Sequence, residues 1–309
     1  MKRLLQLVLW GVVLAACLSA EAQTPPVDGV AVHMVVTVEA RHGKEPPTVY
    51  KDDVMVYQGK DRRPTLDWLP LQGDHAGLEL FILIDDGAST SLGSQLEDLR
   101  EFIAVQPATT AIGVAYMRDG VAQVAQNLTL DHALASKALR LPIGQPGING
   151  SPYLAVTDLI KRWPEAAVRR EVLMITDGID RLYQGPGDDP YVDEAIVQAQ
   201  KAGVLVYSIY NPGVGHFSHS YWRTNWGQNY LSQLSDETGG ESYYLANGAP
   251  VSFSPYLDDM AHKLGHQFLL TFSAKPEKKA GIQRVKLQTE VPNAELVAAD
   301  GVYVPVAAQ

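Results

Sequence analysis

Residues 79–92 read Glu79-Leu-Phe-Ile-Leu-Ile-Asp85-Asp86-Gly87-Ala-Ser89-Thr-Ser-Leu92, and they carry the strongest structural signal in the chain. The run 80–84 is apolar at every position instead of alternating, which is typical of a central parallel strand covered on both faces. Asp85 follows the strand directly, at the end where open α/β sheets bind their ligands. The stretch therefore predicts a strand, a polar loop and then a helix.

A second strand of the same kind ends in a carboxylate. Residues 171–178 read Glu-Val-Leu-Met-Ile-Thr176-Asp177-Gly178, an apolar run followed by an acid and a turn residue. Because parallel strands present their carboxyl ends at one edge of a sheet, Asp85 and Asp177 are expected at the same edge.

The segments between and around these strands alternate between strand and helix patterns, which predicts a doubly wound α/β fold. The sheet is expected to be mostly parallel, with helices on both faces in a Rossmann-like arrangement. The chain carries no G-x-G-x-x-G or Walker loop, so no phosphate-binding loop is expected. The predicted strands are 80–84, 111–117, 121–126, 172–176, 204–209 and 241–245, and the predicted helices are 93–105, 131–139, 153–163, 192–202, 229–238 and 256–264.

The two flanks of the chain have strand patterns with Pro and Gly between them. Residues 31–39, 267–273 and 283–290 are rich in β-forming residues, and the last of these alternates apolar and polar positions. Neither flank has enough strands to be stable alone. We therefore expect 28–75 and 266–306 to pair into a small β-sandwich, with residues 78–265 inserted as the α/β domain.

The motif residues give the chain a resemblance to the von Willebrand factor type A (VWA) domain, in the style of the bacterial VWFA-related proteins. That family's metal-ion-dependent adhesion site is written Asp-x-Ser-x-Ser, followed by a Thr on a later loop and an Asp after a central strand. This chain offers Asp85-x-Gly87-x-Ser89, then Ser151, then Asp177. The resemblance implies that Asp85, Ser89, Ser151 and Asp177 hold Mg²⁺ or Mn²⁺, since oxygen ligands suit a hard cation.

The motif departs from the family pattern at Gly87, which has no hydroxyl, and the site is thus expected to be degenerate. Each of its residues also has a purely structural interpretation, because Asp and Ser after a strand cap helices and form turns. A site that keeps the fold and holds no metal is the alternative that Gly87 favours.

The amino terminus predicts export. Met1-Lys2-Arg3 precedes the apolar stretch 4–16, which is typical of a signal peptide. Cleavage after Ala22 would remove residues 1–22, including Cys17, the only cysteine. Leu14-Ala15-Ala16-Cys17 also resembles a lipobox, and lipidation of Cys17 would anchor the protein to a membrane. The expected location is periplasmic, secreted or associated with the cell envelope.

The composition bears on two questions, whether the chain folds and which partners it binds. A hydrophobic content of 46% excludes a disordered chain, and a net charge of −10 argues against nucleic acid partners.

The segment 210–227 is interpreted as a long aromatic loop that leaves the strand 204–209 at the same edge as Asp85. Aromatic residues and arginine dominate protein-binding hot spots, so we expect a partner-binding role. The alternative is that the aromatic residues only fix the loop to the body. A zinc site at His216-x-x-His219 is a further alternative, without a third ligand nearby. The candidate residues are His216, His219, Tyr221, Trp222, Arg223 and Trp226.

Taken together, these observations predict an exported, non-enzymatic protein-binding or adhesion module. The resemblance implies that an acidic side chain of the partner completes the coordination of the metal. One competing interpretation is a VWA scaffold with a vestigial, metal-free site that binds through the aromatic loop. The other is a metal-assisted hydrolase, but no nucleophile elbow, Cys/His pair or H-E-x-x-H helix supports it.

Overall fold

The structure is a computed structural model, and it describes residues 29–88, 90–144, 150–164, 169–183, 188–212, 221–245 and 250–306. Among the helices in these ranges, none combines the length and apolar character needed to cross a bilayer.

A six-stranded sheet forms the centre of the molecule, with the order β10-β9-β8-β5-β6-β7. All neighbouring pairs are parallel except β6 and β7, which form an antiparallel hairpin. The strands are β5 (Leu78–Asp85), β6 (Thr110–Arg118), β7 (Val121–Thr129), β8 (Arg170–Thr176), β9 (Val204–Tyr210) and β10 (Ser242–Tyr243).

Helices cover both faces of this sheet. Alternate residues of β5 point to opposite sides: Leu80, Ile82 and Ile84 pack with α1, α2 and α6, whereas Phe81 and Leu83 pack with α3, α4 and α5. The doubly wound α/β fold is therefore confirmed. The helices are α1 (Leu96–Val105), α2 (His132–Lys137), α3 (Pro152–Arg162), α4 (Pro190–Ala202), α5 (Tyr221–Thr238) and α6 (Ser254–Leu264).

The two flanks of the chain form two four-stranded sheets, ordered β13-β1-β11-β4 and β14-β12-β2-β3. Each sheet contains strands from both flanks, joined by antiparallel pairs such as β1 with β11 and β12 with β2. The flank strands are β1 (Val30–Ala40), β2 (Met55–Gln58), β3 (Asp61–Arg63), β4 (Thr65–Pro70), β11 (Gln267–Ala274), β12 (Gly281–Gln288), β13 (Ala294–Ala298) and β14 (Gly301–Val304).

These two sheets share an apolar core. Buried residues from both contribute to it, among them Val36 and Phe272 from one sheet and Val56 and Val285 from the other. Removing this apolar surface from water is the main force that holds the flanks together, since each flank alone supplies only part of either sheet.

Polar contacts join the flanks to the α/β body. Lys263 Nζ on α6 lies 2.7 Å from Glu39 Oε2 on β1, and Gln267 Nε2 on β11 donates to Tyr207 Oη on β9 at 3.3 Å. Arg169 donates from Nη2 to the carbonyl of Leu264 at 2.6 Å. The end of α6 is therefore a junction between the two parts of the molecule.

One prediction about local structure was wrong. The segment 210–227 was expected to be a loop, but α5 begins at Tyr221, so Trp222, Arg223 and Trp226 lie on a helix. The buried face of α5 carries many polar residues at helical spacing, and a search for hydrophobic periodicity therefore overlooks its first turns. This face includes Thr224, Gln228, Leu231, Ser235 and Thr238.

Close packing of backbone on backbone fixes the start of α5 against the loop after β8. A Cβ atom on Gly227 would lie 2.2 Å from the carbonyl oxygen of Asp177, and one on Gly178 would lie 2.4 Å from the carbonyl oxygen of Gly227. Gly178 also has a φ of +66°, which side chains other than glycine rarely adopt. The helix can approach the edge of the sheet only because both positions are glycine.

This packing predicts the effect of Gly227→Ala. Alanine normally stabilises a helix interior relative to glycine by up to about 1 kcal/mol. Here we expect a loss of about 1–3 kcal/mol in the free energy of unfolding, because the added methyl group overlaps the backbone at Asp177. Urea unfolding measures this loss of stability. Gly281→Ala is the control, because a Cβ atom on Gly281 would have no neighbour within 4 Å. A Gly227→Ala variant as stable as the wild type would contradict the described contact.

Candidate functional site at the carboxyl edge of the sheet

Asp85 ends the central strand and is held by two hydrogen bonds. Its Oδ1 accepts from the backbone N–H of Gly87 at 2.9 Å, and its Oδ2 accepts from the hydroxyl of Thr176 on β8 at 2.8 Å. The side chain is almost fully buried. Asp85 thus links its own turn to the neighbouring strand.

Asp177 follows β8 and is fully buried. Its Oδ1 accepts from the backbone N–H of Ile179 at 3.0 Å, and its Oδ2 forms an ion pair with Arg181 Nη2 at 3.1 Å. Because β5 and β8 are neighbours in the sheet, the two carboxylates lie at one edge.

The charges at this edge act on each other. The pKa of Asp85 is raised from 3.8 to about 6, because burial and the negative charge of Asp177 together outweigh the opposing charge of Arg181 and the two hydrogen bonds. The guanidinium of Arg181 is thus the counter-charge that the structure places beside the two carboxylates.

Ser151 caps helix α3, with its Oγ accepting from the backbone N–H of Leu154 at 3.3 Å. The same hydroxyl donates to the carboxylate of Asp180. Ser151, Asp85 and Arg181 line a small cleft of about 10 Å³, which is roughly the space of one water molecule. The structure therefore brings Ser151 to the same edge as Asp85.

A larger cleft of about 500 Å³ adjoins Arg181 on the side of α5. Trp222 is 67% exposed and Trp226 is 37% exposed, and both line this cleft together with Arg223. Of the other predicted residues, Tyr221 is the first residue of α5, and Ser89, His216 and His219 lie outside the described residues. Their predicted roles stay predictions.

The donor set can be tested against the Mg²⁺ or Mn²⁺ that the resemblance implies. Such an ion requires several oxygen ligands around it in a near-octahedral arrangement. Both oxygens of Asp85 and both of Asp177 already accept hydrogen bonds or an ion pair, and Gly87 offers no hydroxyl. Arg181 also lines the cleft that an ion would enter. Among the described residues, the donor set as arranged does not fit the ion, because the guanidinium of Arg181 already supplies positive charge there.

Sequence reasoning missed Arg181, which follows Asp180 in the turn after β8. Asp180 anchors the turn after β8, since its Oδ1 accepts from the backbone N–H groups of Leu182 at 2.6 Å and Tyr183 at 2.9 Å. Arg181 lies four residues after Asp177, but this segment is not helical, so the rule that pairs charges four apart on a helix gave no signal for the ion pair.

A second ion pair at this edge was also missed. Arg140 binds Asp86 through both terminal nitrogens, at 2.6 and 3.0 Å, and its Cζ lies 3.8 Å from the ring centroid of Tyr116. Asp86 also accepts from the backbone N–H of Ile143 at 3.1 Å. This bidentate pair secures the loop after α2 beside the start of the Asp85 turn.

The raised pKa of Asp85 predicts a pH dependence that Asp85→Asn removes. The folded state binds the proton more tightly than the unfolded chain, so ionising Asp85 destabilises the wild type as pH rises from about 4 to about 6. The full effect is on the order of 3 kcal/mol. We expect the free energy of unfolding of the wild type, minus that of Asp85→Asn, to fall over this range. Urea unfolding in EDTA at several pH values measures it, and a difference that rises with pH would show that the pKa is lowered instead.

Comparisons with known proteins give likenesses of fold. No family model matches the chain, and no curated protein matches it. A structure titled von Willebrand factor type A from Catenulispora acidiphila is 10% identical, covers 92% of this chain and 75% of its own, and has a TM-score of 0.45. An aerotolerance-related membrane protein from Bacteroides fragilis is 15% identical over 61% of this chain and 98% of its own, with a TM-score of 0.43.

The vWF domain of the type V pili tip protein Mfa5 from Porphyromonas gingivalis is 11% identical, covers 61% of this chain and 95% of its own, and has a TM-score of 0.42. These likenesses are distant, and the assignment of the fold rests on the strand order and on helices covering both faces. At the level of fold, the central sheet and its helices form a doubly wound, Rossmann-like α/β arrangement.

Proposed function

We propose that this chain is an exported, non-enzymatic binding module that receives an acidic group of a partner protein at the carboxyl edge of its central sheet. Arg181 takes the place that the family resemblance gives to a metal ion. Export rests on the signal-like residues 1–22.

The position of Arg181 carries the proposal. Its side chain lines the small cleft with Asp85 and Ser151, and it also lines the larger cleft beside Trp222 and Trp226. One guanidinium therefore connects the motif residues to an exposed aromatic surface. Its ion pair with Asp177 holds it at that boundary.

The chemistry of the larger cleft suits a carboxylate flanked by apolar groups. Arginine presents a planar fork that matches a carboxylate, and Arg181 and Arg223 both line the cleft. Tryptophan is the residue type most enriched at binding hot spots, and Trp222 is among the most exposed large apolar residues of the described chain. An acidic side chain next to an apolar one is the partner chemistry that this surface favours.

No catalytic step is placed at this edge. Asp85, Asp177 and Ser151 are all engaged in hydrogen bonds or an ion pair, and these contacts account for their burial. The role of these three residues is to hold Arg181 and the surrounding turns in position.

Peptide selection tests the acidic partner. A displayed library of random peptides about ten residues long would be selected on immobilised wild type in EDTA, and we expect enriched sequences to carry Asp or Glu beside an apolar residue. Binding of a selected synthetic peptide should weaken at least about tenfold in Arg181→Gln and in Trp226→Ala, as expected for hot-spot residues. Isothermal titration calorimetry measures the affinity of the peptide for the wild type and for each variant.

Arg100→Gln serves as the matched control, because Arg100 is exposed on α1 and pairs only with Glu97 at 3.0 Å among the described contacts. Arg181→Lys keeps the positive charge and loses the planar guanidinium. We therefore expect its affinity for the peptide to lie between those of the wild type and Arg181→Gln. Enrichment without acidic residues, or equal binding by Arg181→Gln and wild type, would refute the proposal.

Thermal unfolding tests the metal directly. We expect the melting temperature of the wild type to be the same in EDTA and in millimolar Mg²⁺ or Mn²⁺, since Arg181 supplies the positive charge. An ion that binds only the folded state at about 100 times its Kd adds about 2.7 kcal/mol, which such a scan detects readily. A rise that disappears in Asp177→Ala and persists in the exposed control Asp74→Ala would restore the metal-dependent mechanism.

A further inference from the structure

Three potential metal ligands meet at the junction between the flanks and the α/β body, away from the site described above. Glu45, His262 and His266 each place one ligand atom so that all three atoms lie within 4.8 Å of one another. Glu45 belongs to the segment after β1, His262 to the last turn of α6, and His266 to the turn between α6 and β11. The turn brings His266 back to the end of the helix, where its ring contacts the backbone of His262.

The hydrogen bond of His266 fixes which of its nitrogens can bind an ion. Its Nδ1 lies 2.8 Å from the backbone carbonyl oxygen of His262. A carbonyl oxygen only accepts, so Nδ1 carries the proton and Nε2 of the neutral ring keeps its lone pair. Metal-binding histidines are oriented in this way, with the second nitrogen donating to a carbonyl or carboxylate.

His262 supplies a second, independent observation. Its Nε2 is buried and has no hydrogen-bond partner among the described residues. Leaving a buried polar atom unpaired is unfavourable, and a bound metal ion is one group that would satisfy it. The rings of His262 and His266 lie with their centroids 4.3 Å apart and their planes at 34°, which brings their nitrogens to one place.

An open cleft of about 670 Å³ gives access to His262 from solvent. The carboxylates of Glu39, Asp258 and Asp259 line it together with the ammonium groups of Lys44 and Lys263, so the charged lining is negative by one and favours cations. The ammonium of Lys263, which also lines the cleft, is paired with Glu39 at 2.7 Å.

We propose that Glu45, His262 and His266 form a site for Zn²⁺ or a similar divalent transition-metal ion. Two imidazoles and a carboxylate are the ligand set that such ions prefer, whereas Mg²⁺ prefers oxygen alone. Three protein ligands leave a fourth position for water. Tetrahedral coordination at about 2.1 Å requires ligand atoms roughly 3.4 Å apart, and the exposed side chain of Glu45 has the freedom to close that distance.

An ion held in this way would link the segment after β1 to the end of α6. It would add a coordinate link to the Glu39–Lys263 pair at the same junction. The inference is independent of the proposed function at the carboxyl edge of the sheet.

Zinc titration of the full chain, after chelator treatment and dialysis, tests the site. We expect one Zn²⁺ per chain in competition with a chromophoric chelator, and visible absorption typical of four-coordinate Co²⁺ when cobalt replaces zinc. Glu45→Gln and His266→Gln should each weaken zinc binding at least about tenfold, which is the lower bound known for outer-shell partners of metal sites. Zinc should also raise the melting temperature of the wild type, and it should leave the melting temperatures of Glu45→Gln and His266→Gln unchanged.

Glu277→Gln and His75→Ala are matched controls, since both residues are exposed and neither belongs to the cluster. The double variant His216→Ala/His219→Ala separates this site from the other histidine pair. Absence of zinc binding by the wild type, equal affinity in Glu45→Gln and wild type, or loss of binding only in the His216/His219 variant would overturn the proposal.

Discussion

The molecule depends on a single constraint, the complete burial of strand β5. Leu80, Ile82, Leu83 and Ile84 expose no surface, so helices must cover both faces of the sheet and strands must pair along both edges of β5. The chain can leave such a strand only at its ends, and polar residues accumulate where it does so. Asp85 and the turn that follows are a direct consequence of this arrangement.

Burial at that edge brings the carboxylates of Asp85 and Asp177 together, and Arg181 in the loop after β8 supplies a positive charge beside them. Two buried carboxylates close together repel each other. This repulsion and the burial itself both raise the pKa of Asp85. In the VWA family a metal ion is the expected solution. In this chain the covalently attached guanidinium of Arg181 is the solution that the contacts support. A side chain cannot be removed by a chelator, so this counter-charge does not depend on a supply of divalent cations.

The sequence predicted the parts of the structure that follow from local pattern. The continuous apolar runs at 80–84 and 172–176 give buried parallel strands, and the placement of Asp85 and Asp177 at one edge follows from strand order. Arg181 was not predictable in the same way, because the path of the turn after β8 depends on the contacts of Asp180. The early start of α5 was missed because its buried face uses Thr224, Gln228 and Ser235 in place of apolar residues.

The interleaving of the two flanks has a consequence for how the chain acquires its structure. β1 pairs with β11, so residues such as His33 and Thr271 meet across 238 positions of sequence. Contacts of such high sequence separation form slowly, because the intervening chain must be ordered first. During synthesis β1 to β4 emerge long before their partners, with unpaired strand edges exposed. The amino-terminal flank is therefore the part of the chain that keeps unpaired strand edges until β11 and β12 are available to pair with it.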